Sequence, residues 1–238
     1  MGIVIADFLL DDVVERALAE DLSGGDVTSA AAVAETERAV AKAVAHSPLV
    51  VCGGNVFARA FYKVDPGLRV EQRLTEGSRA KPGDVLWLAE GSARSILMAE
   101  RTALNFAQRM SGVATLTRAF VDAIPAGSQL RIADTRKTTP GLRFLERYAV
   151  RVGGGHNHRD CLGSAVLIKD NHIVAAGGIT AAIQRARAHA PHTSRIEIEV
   201  DTLEQLDEAL AAGAEIVLLD NFDSEALKAG VAKAKGRA

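Results

Sequence analysis

Positively charged residues follow several short apolar runs in the second half of the sequence. Arg136 and Lys137 come after the run LRIA, His158 and Arg159 come after YAVRV and a glycine triplet, and Lys169 comes after AVLI. If these runs are parallel strands, their carboxyl ends meet at one face and the side chains that follow lie close together. Arg can bind a carboxylate or phosphate through two hydrogen bonds, whereas Lys acts as a point charge. The pattern therefore predicts a site for a ligand with several negative charges.

Two acidic residues belong to the later apolar runs. Glu199 alternates with Glu197 in IEIEV, and Asp220 follows IVLL. Carboxylates at such positions suit ribose hydroxyls, a hydrated Mg²⁺ or a developing positive charge. With the cations, they predict the reaction of a phosphorylated sugar with an acid. Alternatively, both glutamates point outward as ordinary polar residues, and we favour the ligand-facing interpretation if Ile196 and Ile198 pack against helices.

Each of these residues also has a structural interpretation. A single Lys or Arg after a strand is more often a solvated end than a ligand, and only the five cations together favour a site. The triplet at 153–155 permits positive φ, lets backbone approach an anion or lets a helix pack closely. His156 and His158 are a possible metal pair in a strand, but no third ligand is near them in the sequence, so zinc is not expected. The sequence contains no GxxxxGK[ST], GxGxxG or GxSxG motif, so nucleoside triphosphate, dinucleotide and serine hydrolase functions lack their main support.

The elements that position these residues change in type along the chain. Up to residue 112 helices and strands are mixed: the spacing predicts helices over 9–22, 55–62 and 95–110, and strands over 39–51, 68–74 and 84–88. Ser111-Gly112 is expected to end the last helix. Beyond 113, strand-like runs at 130–133, 165–168, 196–200 and 216–219 are separated by helical stretches such as 181–190 and 203–212. This alternation predicts an α/β protein with a first domain over 1–112 and a parallel sheet or barrel over 113–238.

Composition argues against several classes of function. The 28 Lys and Arg against 30 Asp and Glu leave a net charge of −2, which makes no bulk electrostatic case for nucleic acid or an anionic membrane as partner. The two cysteines are too few for a disulfide framework and favour a reducing compartment. No apolar run reaches the roughly 20 residues that cross a bilayer. We expect a cytoplasmic protein with no nucleic-acid and no membrane partner.

The string DTRKTTPGLRFLERYAVRVGGGHNHRDCLGSAVLIKDNHI, over 134–173, closely resembles the quinolinate phosphoribosyltransferase family. The similarity extends to 20–29, 99–112, 197–201 and 218–221, and so covers nearly the whole chain. It implies an N-terminal α/β sandwich followed by an incomplete α/β barrel, in a homodimer whose sites lie between one barrel and the partner's first domain. It also implies a pentosyltransferase that converts quinolinate and phosphoribosyl pyrophosphate to nicotinate mononucleotide, pyrophosphate and CO₂ in NAD biosynthesis, with Mg²⁺ carried by the pyrophosphate.

The resemblance implies roles for individual residues as well. The residues that match the quinolinate-binding set are Thr135, Arg136, His158, Arg159 and Lys169. Arg101 matches an arginine delivered across the dimer interface, Lys137 a lysine between the two substrates, and Glu199 and Asp220 the acids at the ribose of the donor. We assign Lys137, Lys169, Glu199 and Asp220 as catalytic, and expect no direct protein ligand to a metal.

Two features depart from the family pattern. Cys161 stands where a glycine is expected and Ser164 where an aspartate is expected, which leaves open another aromatic acid as acceptor, as in the molybdenum-transport-associated pyrophosphorylase-like proteins. The retained KDNH string at 169–172 favours quinolinate. The family also continues beyond the position of Ala238 with strands whose glycine-rich loops bind the 5′-phosphate of the donor. We therefore expect a barrel shortened at its C-terminal end, and a catalytically silent relative is the third hypothesis.

Overall fold

The computed structural model describes residues 5–238. In this range the helices are α1 (Asp7–Asp21), α2 (Val27–Ala32), α3 (Gly54–Val64), α4 (Ala93–Asp122), α5 (Arg143–Val152), α6 (Asp170–Ala176), α7 (Ile179–His189), α8 (Leu203–Ala211) and α9 (Ser224–Ala234). The strands are β1 (Arg38–Val44), β2 (Leu49–Val50), β3 (Arg69–Gln72), β4 (Arg79–Ala80), β5 (Val85–Ser92), β6 (Val166–Ile168), β7 (Ile196–Val200) and β8 (Ile216–Leu219). None of the helices described is long and apolar enough to cross a membrane.

The chain divides after His158 into two compact units. The first unit contains an antiparallel sheet in the order β1-β5-β3 and a short pair β2-β4. Helix α3 is amphipathic and buries Val56, Phe57, Ala60 and Phe61, which lie on one face because the helix repeats every 3.6 residues. The ring of Phe57 stacks on Trp87 of β5 with 4.8 Å between centroids. This packing joins the predicted helix and strands in one core.

Helix α4 is longer than predicted, and the expected end at Ser111-Gly112 is wrong. Its second half continues because hydroxyl groups on the helix accept hydrogen bonds from backbone amides of β2 and of the residues just after it. The amide of Cys52 donates to the Ser111 hydroxyl at 3.1 Å, and the amide of Val50 donates to the Thr115 hydroxyl at 2.8 Å. These bonds and the buried Ala114 outweigh the cost of about 1 kcal/mol for a glycine inside a helix. The domain boundary predicted at residue 112 therefore lies within a helix, and it stays a prediction.

Two apolar runs of the first unit are not strands. The run at 130–133 forms no ladder, and only Ala133 makes an isolated parallel bridge with His156. Its Leu130 is 68% exposed, so the run lacks the burial that makes strand-forming residues favour a sheet. The run YAVRV belongs to helix α5, whose Leu145 and Ala149 are buried four residues apart on one face. Strand propensity is overridden here by helical packing.

The second unit is a parallel sheet in the order β6-β7-β8 with helices packed on it. Ile196, Ile198 and Val200 of the central strand are buried together with Ile183 of α7 and Leu206 of α8. The strands predicted at 165–168, 196–200 and 216–219 and the helices predicted at 181–190 and 203–212 are confirmed. The α/β class is confirmed too, while the incomplete barrel stays a prediction.

Candidate active site

The loop over 134–139 is held at its beginning by a buried carboxylate. Asp134 accepts hydrogen bonds from the His158 amide at 2.7 Å and from Arg147 Nη1 at 3.1 Å through Oδ1, and from Asn157 Nδ2 at 2.6 Å through Oδ2. Its side chain is 5% exposed and that of Arg147 is 15% exposed. Asp134 therefore fastens the loop to helix α5 and to the segment 156–158.

The same helix holds the end of the loop. Glu146 Oε2 accepts from the Thr139 amide at 3.2 Å, and its Oε1 accepts from Arg109 Nη2 of α4 at 2.6 Å. Arg143 Nε donates to the Thr138 hydroxyl at 3.0 Å. Burial acts to raise the pKa of Glu146, but the hydrogen bonds from Arg109 and Thr139 outweigh it and lower that pKa below its ordinary value. Glu146 is thus held as a carboxylate.

Three of the predicted ligand residues lie in this loop. The Thr135 hydroxyl accepts from the Lys137 amide at 3.1 Å, and the Arg136 carbonyl accepts from the Thr138 amide at 2.9 Å, so the chain turns tightly. Arg136 is half-buried, and its buried Nε has no hydrogen-bond partner among residues 5–238. A buried donor of this kind is a group that a bound carboxylate would satisfy. A groove of about 540 Å³ beside the loop is lined by Thr135 and Lys137 and by Val113 of α4.

The segment after α5 places His158 beside this loop. The carbonyl of His158 accepts from Arg147 Nη2 at 2.7 Å. The glycine triplet before it serves close helix packing, since a Cβ on Gly153 would lie 2.6 Å from the Ala114 carbonyl oxygen and 2.6 Å from Thr117 Cβ. Within the described part of the chain, no group of three His, Cys, Asp or Glu residues has a metal-binding arrangement.

In the second unit, three predicted residues lie at the carboxyl ends of neighbouring strands. Lys169 follows β6 and caps the N-terminus of α6, Glu199 is the penultimate residue of β7, and Asp220 follows β8. Lys169 Nζ is 2.5 Å from Glu199 Oε2, with side chains 44% and 14% exposed. The Asp220 amide donates to the Val200 carbonyl at 2.9 Å, which continues the β7-β8 pairing. The predicted convergence of strand-end residues is therefore found within this unit.

The burial of Glu197 and Glu199 distinguishes between the two interpretations of strand β7. Ile196, Ile198 and Val200 are buried against helices, as the ligand-facing interpretation requires, and Glu197 is buried as well. Glu199 is half-buried and engaged with Lys169. The interpretation of both glutamates as ordinary outward polar residues is therefore wrong.

Arg159 and the unusual Cys161 belong to the turn before β6. Arg159 Nη1 donates to the Ala165 carbonyl at 3.1 Å, and the side chain borders a cavity of about 500 Å³ with His172 and Ile168. The Ser164 hydroxyl accepts from the Cys161 amide at 3.4 Å and donates to its carbonyl at 3.2 Å. The serine that stands in place of the expected aspartate therefore forms its hydrogen bonds within the turn, to the backbone of Cys161.

Arg101 lies on the exposed side of α4, in the first unit. It lines a small cavity of about 140 Å³ with Glu20 and Asp21 of α1. The predicted place of Arg101 at a dimer interface stays a prediction.

Sequence reasoning missed four residues that shape the loop: Asp134, Glu146, Arg147 and Arg109. The signal was present for α5, where Arg143, Glu146 and Arg147 are spaced i, i+3 and i+4 and so share one helix face. It was hidden because YAVRV resembles a strand. The pairing of Asp134 with Arg147 joins residues 13 positions apart, which no local pattern encodes.

Two family models match the chain in succession. Residues 26–111 match the model described as quinolinate phosphoribosyl transferase, N-terminal domain, and residues 113–238 match the model for the C-terminal domain of the same family. Together they cover most of the chain.

Curated relatives carry the same family name over most of this sequence. The nicotinate-nucleotide pyrophosphorylase [carboxylating] of Mycobacterium leprae is 47% identical over 215 residues, which are 89% of this chain and 75% of the relative. The Homo sapiens protein of the same name is 39% identical over 228 residues, covering 95% of this chain and 75% of the relative. The chain thus spans about three quarters of the length of these relatives.

Solved structures agree with this assignment. NadC from Streptococcus pyogenes superimposes with a TM-score of 0.93 at 40% identity, covering 99% of this chain and 83% of that one. The nicotinate-nucleotide pyrophosphorylase from Francisella tularensis gives 0.92 at 36% identity, covering 98% and 82%. The chain belongs to the quinolinate phosphoribosyltransferase family.

Proposed function

We propose that this chain transfers the phosphoribosyl group of phosphoribosyl pyrophosphate to quinolinate with loss of CO₂, giving nicotinate mononucleotide and pyrophosphate in NAD biosynthesis. The observation that carries the proposal is the half-buried Arg136, whose Nε has no partner among the described residues, in a loop fixed at both ends. A guanidinium held in this way is prepared for a carboxylate. Family membership supplies the reaction class.

The acceptor has two carboxylates and therefore requires several cations. By their match to the family motif, we assign its binding to Thr135, Arg136, His158, Arg159 and Lys169. Arg136 and Arg159 offer forked donors that fit a carboxylate, and Lys169 adds a point charge. These contacts fix the plane of the pyridine ring and aim its nitrogen, so positioning supplies much of the rate.

The donor is the magnesium complex of phosphoribosyl pyrophosphate, in which the metal arrives with the substrate. We assign Glu199 and Asp220 to the ribose of this donor and Lys137 to a place between the two substrates. Glu199 is held by Lys169, which keeps its carboxylate oriented at the end of β7. Both acids are suited to stabilise positive charge as it develops on the sugar.

The chemistry requires no protein nucleophile. The ring nitrogen of quinolinate bonds to the anomeric carbon of the ribose as the bond to pyrophosphate breaks. The nitrogen becomes cationic, so the adjacent carboxylate can leave as CO₂ while its bonding electron pair remains on the ring carbon. A proton then takes the place of CO₂ on that carbon. The acids act on the first step, and the cations hold the second carboxylate in place throughout.

Product formation tests the proposal directly. Purified protein is titrated with quinolinate and magnesium phosphoribosyl pyrophosphate while nicotinate mononucleotide is followed by chromatography. We expect product that depends on both substrates. The absence of product at high enzyme concentration would contradict the proposal and favour a catalytically silent relative. Calorimetry with the donor alone then decides, because an enzyme must bind it.

A second candidate is a phosphoribosyltransferase for another aromatic acid. The observation that favours it is the Cys161–Ser164 turn, which replaces the glycine and aspartate of the family pattern. A competition panel of pyridine monocarboxylates and dicarboxylates separates the two candidates. Quinolinate as the strongest competitor supports the leading proposal, and a different acid as the strongest competitor supports the second.

We further propose a cytoplasmic homodimer in which Arg101 completes the partner's site. The exposed position of Arg101 on α4 and the free thiols of Cys52 and Cys161 support these assignments. Mixing inactive Arg101→Ala and Lys169→Ala variants tests the shared site. Partial recovery of activity is expected, since one site of the mixed dimer then contains both native residues. No recovery after exchange of subunits would contradict it.

A further inference from the structure

We infer that Asp134 and Arg147 are positioning residues for acceptor binding, a role that rests on the proposed function. They act by holding the loop over 134–139 and the segment 156–158 in the arrangement that binds the carboxylates of the acceptor. Neither is among the residues assigned to contact either substrate.

The contacts of Asp134 reach both segments. Asp134 directly precedes Thr135, Arg136 and Lys137 in the chain. Its side chain accepts a hydrogen bond from the amide of His158 at 2.7 Å. Its backbone amide also donates to the His156 carbonyl at 3.0 Å. One side chain therefore sets the distance between the loop cations and His158.

Arg147 completes the connection from the other side. One Nη donates to Asp134 at 3.1 Å, and the other donates to the His158 carbonyl at 2.7 Å. The two planar donors of a guanidinium are fixed relative to each other, so they fix the carboxylate relative to the His158 backbone. A lysine could not reproduce both bonds.

The charge of Asp134 makes the inference specific. A carboxylate beside an anion site weakens anion binding by Coulomb repulsion unless it is neutralised. Here it is buried, paired with Arg147 and bonded to a main-chain amide. We therefore explain Asp134 by its positioning role. Removing its charge would strengthen acceptor binding if repulsion dominated, and would weaken acceptor binding if positioning dominates.

Helix α5 is a firm support for this pair. Leu145 and Ala149 are buried in the core, and Glu146 is bonded to Arg109 of α4. On the same helix, burial first and then the nearby Glu76 carboxylate raise the pKa of Tyr148. Helix α5, which carries Arg147, is thus anchored in the core.

The test is calorimetric binding of quinolinate and, separately, of magnesium phosphoribosyl pyrophosphate to the full chain. For Asp134→Asn we expect quinolinate affinity to fall roughly ten- to hundredfold, in line with the effect of removing a residue that orients a ligand-binding group. Donor affinity should stay within about twofold, as for an independent site. Arg147→Gln should behave likewise, and Arg147→Lys should recover part of the loss.

The matched control is Asp11→Asn, which breaks the ion pair between Asp11 of α1 and Arg59 of α3 in the same unit. It should leave the affinity for quinolinate unchanged, because that pair contacts no part of the loop. Circular dichroism establishes that each variant folds. If Asp134→Asn does not fold, Arg147→Lys and Arg147→Gln decide the question by the same criterion.

The outcomes separate the two proposals. Wild-type protein that binds no quinolinate overturns the proposed function and this inference with it. Wild-type protein that binds quinolinate, with equal or tighter binding by Asp134→Asn, overturns the inference alone and shows that charge outweighs positioning. An equal loss of donor and acceptor affinity also overturns it, because that is the behaviour of a purely structural pair.

Discussion

The candidate ligand residues of the two units are positioned in two different ways. In the first unit, Arg136 and Lys137 lie on an irregular loop whose position depends on side-chain hydrogen bonds from α5. In the second, Lys169, Glu199 and Asp220 lie at the ends of regular parallel strands. A strand end is placed by backbone pairing and by the core beneath it. A loop is placed only by the few residues that hold it, so it is more sensitive to single substitutions.

The largest expected effects are losses of ligand affinity, with a different ligand affected in each of the two regions. Arg136→Ala removes forked hydrogen bonds to a carboxylate and should weaken quinolinate binding at least roughly a hundredfold. Glu199→Ala should instead weaken donor binding, with quinolinate affinity changed much less. Calorimetry of both ligands with both variants checks this crossed pattern. Equal losses in both variants would contradict the division between the regions.

A smaller effect on stability is expected at the glycine triplet. Gly153→Ala would bring a Cβ to 2.6 Å from the Ala114 carbonyl oxygen, so we expect a loss of about 1–3 kcal/mol in the free energy of unfolding. The control is Gly163→Ala in the second unit, where a Cβ meets only Cys161 Sγ at 3.9 Å. Urea denaturation of both variants measures the difference. Equal stability of the two would show that α5 does not approach α4 as closely as described.

A third effect is pH-dependent and belongs to Glu146. The pKa of Glu146 in the folded protein is lowered below its ordinary value of 4.5. Its contribution to the free energy of unfolding is therefore complete above pH 4.5 and is lost as the pH falls through the folded pKa. Glu146→Gln should lower the free energy of unfolding by about 1–2 kcal/mol at neutral pH. The difference in stability between the variant and the wild type should narrow in acid. Thermal unfolding across this range measures the gap. A gap that does not change with pH would contradict a charged Glu146.

The smallest expected effect concerns an ion pair on the surface of the second unit. Glu225 and Lys228 are one helical turn apart with highly exposed side chains. Glu225→Gln should leave the free energy of unfolding unchanged within error, because exposed pairs contribute little. Thermal unfolding at neutral pH, under the conditions used for Glu146→Gln, checks it. A loss of unfolding free energy as large as that of Glu146→Gln would contradict the expectation that the exposed pair contributes less to stability than the buried one.

The difference between the regions also explains what could be predicted from the sequence. The strands that carry Lys169, Glu199 and Asp220 were predicted because IEIEV and IVLL are short apolar runs between amphipathic helices, a local pattern. The course of α4 through Gly112 was not, because it depends on bonds to Val50 and Cys52, more than 50 positions away. Long-range hydrogen bonds leave no periodic trace in a sequence.

The same reason accounts for the acceptor loop. Its cations were identified from their types and from the family motif, but the residues that hold them were not. YAVRV has the composition of a strand, yet Ala149 packs at helical spacing with Leu145. The partners of Asp134 became evident only when the fold placed Arg147 and the His158 amide around it.

The release of CO₂ tests the central claim most directly. Quinolinate labelled in the carboxyl group next to the ring nitrogen is incubated with the protein, and labelled CO₂ is measured with and without magnesium phosphoribosyl pyrophosphate. We predict one CO₂ for each nicotinate mononucleotide formed, none without the donor, and none with Arg136→Ala. Release of CO₂ without the donor, or a phosphoribosyl product that retains the label, would contradict the account.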